Sequence, residues 1–531
     1  MDVTNGLVEI TPAIRDPVRL VRDVHYQPSI HSIQFLHVDI SEELLNALWG
    51  LIPRRTWSSI SLEQCSGQID AVLQLIMTHD SCRRLSLNDV PSPYLPQRSY
   101  LYSSMYAELA KGLPNLQNLQ ILHLDGFISD SSSALLADGL ARNTSIEGLH
   151  LDCLIHVSDS FNCHNLQESP IIDKKYQSPS CSYLAQAIVR LKFLQLIAVQ
   201  CYRRDLSTHE LQLSLQFHLL KQLSDRAYVL PVLKLEVSDW DGGLWWLESV
   251  ARVIENNKVH QLQLTLNQDN RNHDEYKERG DNIDILLQAL QGNATLHTLD
   301  VSEFPVNDHE METLVASLHH NDSLKVLNLS QNQATSFGIR LLAEFLPKCH
   351  LQVLHLAGGK PSSSNVEDEF YHITDQDLEF LIHGLKKQDL GHHLLELDLS
   401  YNRITNHGAC ILANALVDFN YLRRINMEGN HGIGGVGGHF LLEALQTNYV
   451  MEDLTLDPQD FKVVSEISYI GRLNRGGRRV LMNRNFPIAL WPYLLKRANG
   501  MEWKNSRSPR QTLAWRSEIL YHLLRFGSAL V

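Results

Sequence analysis

Apolar residues recur along this chain in two alternating rhythms. In the first, two apolar side chains flank a single polar one, as in Leu327-Asn328-Leu329 and Leu397-Asp398-Leu399. A period of two predicts a short strand with one buried face. In the second, apolar residues fall three and four apart, as in GIRLLAEFL from 338, GACILANAL from 408, GHFLLEALQ from 438 and IDILLQALQ from 283. That spacing predicts helices with one apolar side. Asn143, Asn293, Asn321 and Asn448 stand where each helix would turn back toward the next strand. Asn332 and Asn402 stand three residues after Leu329 and Leu399, where a side-chain amide can bond the backbone of a tight bend.

The two rhythms repeat as a pair. The first apolar residue of each strand pattern falls at 33, 60, 85, 122, 149, 194, 233, 262, 299, 327, 354, 397, 425 and 454. Most separations are 25 to 29 residues, and the longer ones read as one period plus a polar insertion, at 91–104, 156–180, 268–281 and 359–373. One strand–helix unit of about 28 residues cannot bury its apolar face alone, so neighbours must stack. The stretches LLELDLSYNRITNHG and LKVLNLSQNQATSFG fit the pattern L-x-x-L-x-L-x-x-N-x-I/A-x-x-x-G, fully and closely respectively. Over residues 30–457 the chain therefore resembles leucine-rich-repeat proteins of the ribonuclease-inhibitor type. The resemblance implies an α/β, right-handed solenoid (a horseshoe) with a parallel concave sheet, convex helices and a helical C-terminal cap. The domains expected are residues 1–29 as an N-terminal cap or flexible lead, 30–457 as the solenoid, and 458–531 as a basic helical cap. The fold says little about activity.

Polar positions between the strand leucines point to the open side of such a sheet. The middle column runs His123, His150, Gln195, Lys234, Gln263, Asp300, Asn328, His355, Asp398, Asn426, Thr455. The next column includes Asp125, Asp152, Ile197, Glu428 and Asp457. A solvated sheet needs polar residues in any case, but an extended groove for another protein is the usual use of such a surface. The candidate partner-binding residues are His123, Asp125, His150, Asp152, Asp300, Asn328, His355, Asp398, Asn426, Glu428 and Asp457.

Charge alters this picture in one respect. The 531 residues hold 46 Lys and Arg against 60 Asp and Glu, for a net charge of −14. Residues 471–531 hold 12 Lys and Arg against Glu502 and Glu518, a balance of +10, which leaves 34 against 58, or −24, for residues 1–470. The acidic array argues against DNA binding, which needs a basic footprint. The basic tail leaves an anionic contact open. No run of 18 apolar residues and no secretory leader pattern is present, so a cytoplasmic protein is expected, with the nucleus as an alternative. Eight Cys without metal or CxxC spacing read as reduced thiols. No catalytic residue, cofactor or metal is expected.

Two decoys need weighing. Residues 432–437 read GIGGVG, with a strand before, a helix after, and Asp457 twenty residues beyond Gly437, as in a dinucleotide-binding fingerprint. Gly429-Asn430-His431 separates the strand from Gly432, and Gly437 falls in step with Gly408 and Gly338, where glycine is expected to free the backbone to enter the helix. The repeat reading is therefore preferred. The carboxylate pairs Asp375/Asp377 and Glu367/Glu369 read as a solvated loop or helix start.

After residue 458 the segment FPIALWPYLLKRA, followed by SPRQTLAWRSEILYHLLRFG, predicts two short helices. The first loosely resembles the docking helices of F-box or SOCS-box proteins. The functional expectation is a non-enzymatic, monomeric scaffold that binds another protein on the concave face. The alternatives are a substrate receptor or docking subunit of a ubiquitin ligase acting through the C-terminal helices, a regulator like the GTPase-activating or receptor-type members of this repeat class, and an enzyme using GIGGVG. The basic tail and the missing NTPase module count against the regulators.

Overall fold

A computed structural model describes residues 6–88, 99–157, 179–199, 209–237, 244–266, 283–304, 306–359, 371–387, 394–457 and 461–478. They form two compact units, Met1–Ala289 and Leu290–Val531. Both are α/β repeat solenoids in which a parallel strand alternates with a helix.

In the first unit the strands of the main sheet are β1 (Leu7–Ile10), β2 (Ser32–Leu36), β3 (Ser59–Glu63), β4 (Arg84–Asn88), β5 (Ile121–Ser129), β6 (Gly148–Val157), β7 (Leu196–Val199), β8 (Leu230–Val237) and β9 (Val259–Leu266). Each pairs in parallel with the next. The helices between and after them are α1 (Pro17–Val24), α2 (Glu42–Leu51), α3 (Ile69–His79), α4 (Ser99–Gly112), α5 (Asp130–Arg142), α6 (Pro179–Arg190), α7 (His209–Ser224), α8 (Leu244–Glu255) and α9 (Asp284–Gln288). The second unit continues with β10 (Thr298–Asp300), β11 (Val326–Asn328), β12 (Val353–His355), β13 (Glu396–Asp398), β14 (Arg424–Asn426) and β15 (Asp453–Thr455), again parallel. Its helices are α10 (Asp308–Leu318), α11 (Ser336–Phe345), α12 (Asp375–Lys386), α13 (Asn406–Leu416), α14 (Gly435–Thr447) and α15 (Phe461–Arg475).

The strand leucines build the core. Leu299, Leu327, Leu354, Leu397 and Ile425 share one register and are at most 2% exposed. Each such burial stabilises by about 1.5–3 kcal/mol. The register differs from the sequence reading in one repeat. Ile197, not Leu194, pairs with Leu149 and Leu233. Leu194 takes the buried position three residues earlier that Leu296 holds beside Leu299. Two adjacent apolar triplets compete here, and the one containing β-branched Ile197 and Val199 forms the strand. Gln195 therefore lies before the strand, Ile197 is in the core, and Ala198 is the middle strand position.

The helix-to-strand corners use asparagine as expected. Asn321 Oδ1 accepts the N–H groups of Ser323 and Leu324 at 3.0 and 2.9 Å, while Nδ2 donates to the carbonyls of Leu290 and Asn293 at 2.7 and 3.0 Å. Asn448 repeats this with Val450 and Met451 as donors and Leu416 and Phe419 as acceptors. Three arginines serve other corners, which the Asn pattern did not reveal. Arg55 donates to the carbonyls of Val24, Gln27 and Ile30, and Arg478 to those of Leu445, Gln446 and Asn448. Arg226 donates to Leu191. Each guanidinium sits over an aromatic ring, Trp57, Tyr449 or Tyr228. Burial lowers the pKa of all three.

Helix α15 packs on α14 and β15, and Asn474 Nδ2 bonds the carbonyls of Asn448 and Met451. Residues 479–531, with the two helices expected there, lie outside the described residues, as do Glu367, Glu369 and residues 268–281. Among the described residues no helix is long and apolar enough to cross a membrane.

Candidate functional site

The candidate face is the polar side of the strands. In the second unit Asp300, Asn328, His355, Asp398, Asn426 and Thr455 lie in register on successive strands. The sequence fixes four of these side chains locally. Asp300 Oδ1 accepts the Ser302 N–H at 3.1 Å and its hydroxyl at 2.8 Å. Asn328 Oδ1 accepts from Ser330 N at 3.0 Å, Asp398 Oδ1 from Ser400 N at 2.9 Å, and Asn426 Oδ1 from Glu428 N at 3.1 Å. A short carbonyl-bearing side chain that bonds its own backbone two residues on closes the strand, which accounts for Asp or Asn at these positions. Glu428 is exposed. Asp457 bridges strands, with Oδ1 accepting from Gly429 N at 3.0 Å and Oδ2 3.2 Å from His431 Nδ1.

The flanking column, which the sequence pattern did not single out, holds Glu396, Arg424 and Asp453 side by side. Glu396 pairs with Arg424 at 2.5 Å. Burial pushes the Asp453 carboxyl above its usual range, with Arg475 and Arg424 pulling it back.

In the first unit His123 and His150 are register partners with ring centroids 5.7 Å apart, and Ser86 Oγ lies 3.1 Å from His123 Nδ1. Asp125 pairs with Asn88 on one side and Asp152 on the other. The side chain of Asp152 lies outside the described residues.

The two decoys resolve on geometry. In GIGGVG the N–H groups of Gly434 and Gly437, which a phosphate would need, are taken by Asn406 Oδ1 at 2.9 and 2.8 Å. The stated role of the repeat glycines also needs correction. Gly338, Gly408 and Gly437 keep negative φ, so they do not serve as left-handed turns. Their missing Cβ makes room for the first helical residue of the preceding repeat, Asp308, Asp375 or Asn406, which caps the next helix. Asp375 and Asp377 stand in the first turn of α12, the helix start that was one of the two expectations, but they are not a solvated pair. Asp375 accepts from Thr405 N and Oγ1 at 2.8 and 2.6 Å. Asp377 is fully buried and accepts from Tyr371 Oη at 2.7 Å, Thr374 N at 2.9 Å, Thr374 Oγ1 at 2.8 Å and Ser336 Oγ. Among the described residues no three His, Cys, Asp or Glu side chains are grouped to hold a metal. Burial pushes the Cys82 and Cys349 thiols up to about 12 and about 11, away from nucleophilic use.

No family model matches the chain. Over 170 residues it is 27% identical to Protein NLRC5 of Ictalurus punctatus, a match covering 31% of this chain and 9% of that protein. The chain thus spans less than a tenth of the curated relative it matches. Among solved structures it is similar to the Rad7 and Elc1 complex in yeast (12% identity, 83% of this chain, 82% of that one, TM-score 0.42). It is also similar to actin-binding site 2 of leiomodin-1 (15% identity, 33% and 81%, TM-score 0.22) and to the tropomodulin C-terminal domain of Caenorhabditis elegans (11% identity, 36% and 93%, TM-score 0.24). Parallel strands and helices in this alternation make the chain a leucine-rich-repeat-like solenoid.

Proposed function

We propose that this chain is a non-enzymatic protein-interaction scaffold with repeats of the ribonuclease-inhibitor type, and that a protein partner lies on the strand face. The observation that carries the reading is the in-register row Asp300, Asn328, His355, Asp398 and Asn426 on a rigid core. Such a row offers polar groups whose ordering cost is already met by folding. Residues 461–478 act in this reading as a terminal cap, since α15 covers the last strand. The protein works as a monomer in the cytoplasm and needs no cofactor.

Quantitative affinity purification with the H355A/E428K double variant tests the reading, with Glu344→Lys on the exposed side of α11 as control. The expected result is loss of one set of partners from the face variant and its retention by the control. Equal recovery from both would refute it. The docking role in a ubiquitin ligase rests on the sequence of residues 486–498, and the same purification without residues 479–531 decides it.

A further inference from the structure

We infer that the strand face of the second unit takes an extended, basic segment of a protein partner, one that crosses the strands with two cationic side chains four residues apart. This deepens the reading above and shares its face.

Charge is the first support. The outward strand positions carry Asp300, Glu396, Asp398, Glu428, Asp453 and Asp457, against one guanidinium, Arg424. Arg424 is already paired with Glu396, Arg475 lies 3.9 Å from Asp453, and His431 faces Asp457. Asp300, Asp398 and Glu428 have no ion pair among the described residues. A face of one sign attracts and orients a partner of the other sign.

Spacing is the second. Asp300 and Asp398 stand three strands apart in one register. At about 4.8 Å per strand that is about 14 Å. Four residues of extended chain at about 3.4 Å each also span about 14 Å, and side chains four apart leave the same side. Each carboxylate spends Oδ1 on its own turn and keeps Oδ2 for the partner. Between them Asn328, held in the same way, has an amide N–H2 available for a peptide carbonyl.

The test uses the full chain and labelled nine-residue peptides of one composition, with two Lys separated by two, three or four positions, read by fluorescence anisotropy at about 50 mM salt, where screening is modest. The four-position peptide is expected to bind at least about fivefold more tightly than the other two, a gain of one matched charge pair. That preference should vanish in D300N/D398N. Asparagine keeps the turn bond, as Asn328 and Asn426 show, so this variant folds. Equal affinity for all three spacings, a preference surviving in D300N/D398N, or no binding up to about 1 mM each overturns the inference. Because the probes are synthetic, failure here leaves the purification result standing, and the reverse also holds.

Discussion

Asp308 caps a helix that is not its own. Its Oδ1 accepts the backbone N–H of Gly338 at 3.0 Å, one repeat later, and a Cβ at residue 338 would lie 2.6 Å from that oxygen. The same carboxylate takes Thr335 N at 2.8 Å and Thr335 Oγ1 at 2.6 Å. A carboxylate at a helix N-terminus satisfies orphan N–H groups and suits the dipole. Gly338 and Asp308 are thus two halves of one inter-repeat joint.

The joint predicts a non-additive cycle. Gly338→Ala should cost about 1–3 kcal/mol, the range for overpacking, and Asp308→Ala about 0.5–2 kcal/mol as a lost cap. The double variant should cost less than the sum, because removing Asp308 makes room for Ala, which favours the helix over Gly by up to about 1 kcal/mol. Chemical denaturation of the four proteins measures the coupling. Additive costs would refute the joint.

Much of this was legible beforehand, and what was missed has a physical cause. Leu327-Asn328-Leu329 announces a strand because period two is unmistakable when only one register fits. Around Leu194 two registers fit, and packing decides for Ile197. Ile197→Ala should therefore cost about 2–5 kcal/mol, whereas Gln195→Ala should stay within about 0.5 kcal/mol. Comparison of their denaturation midpoints checks the register. The face residues were legible as polar positions, but the turn bonds that fix Asp300 and Asp398 were not, since an outward Asp reads alike bound or free. The inter-repeat caps were hidden because Asp308 and Gly338 are 30 residues apart.

Arginine in place of asparagine at a corner makes a separate prediction. Arg55 spans three carbonyls, Val24, Gln27 and Ile30, and stacks at 4.4 Å over Trp57. Removing it leaves partly buried carbonyls unmatched, at about 1–3 kcal/mol. Arg55→Lys should recover less than half of the loss in Arg55→Ala, because an ammonium lacks the planar fork and stacks poorly. Thermal unfolding of both variants measures this, and full rescue by Lys would contradict the geometry.

Backbone strain gives the next one. Gln331 adopts φ of 55° at the fourth position after Leu327, as Tyr401 does at 56° after Leu397, and at the equivalent place after Ile425 the chain uses Gly429. Non-glycine residues there carry about 1 kcal/mol of strain. Gln331→Asn, which tolerates this region, should raise stability by about 0.5 kcal/mol, with the bond from its N–H to Ala357 intact. An unchanged or lower denaturation midpoint would remove the strain argument.

The buried carboxylate of Asp377 makes a prediction in pH. It accepts the Tyr371 hydroxyl, and burial together with that bond raises the tyrosine to about 12 from an ordinary 10. The folded protein thus favours neutral Tyr371 more than the unfolded chain does. Its contribution is complete below about pH 10, where the unfolded tyrosine is still protonated, and is lost as pH rises through about 12. Tyr371→Phe removes the bond and the titration together. The variant should be less stable than the wild type at neutral pH, and the gap should close between pH 10 and 12. Denaturation midpoints of both proteins across that range measure the gap. If it stayed constant, Tyr371 would have to ionise equally well folded and unfolded, and the bond to Asp377 could not be holding its proton.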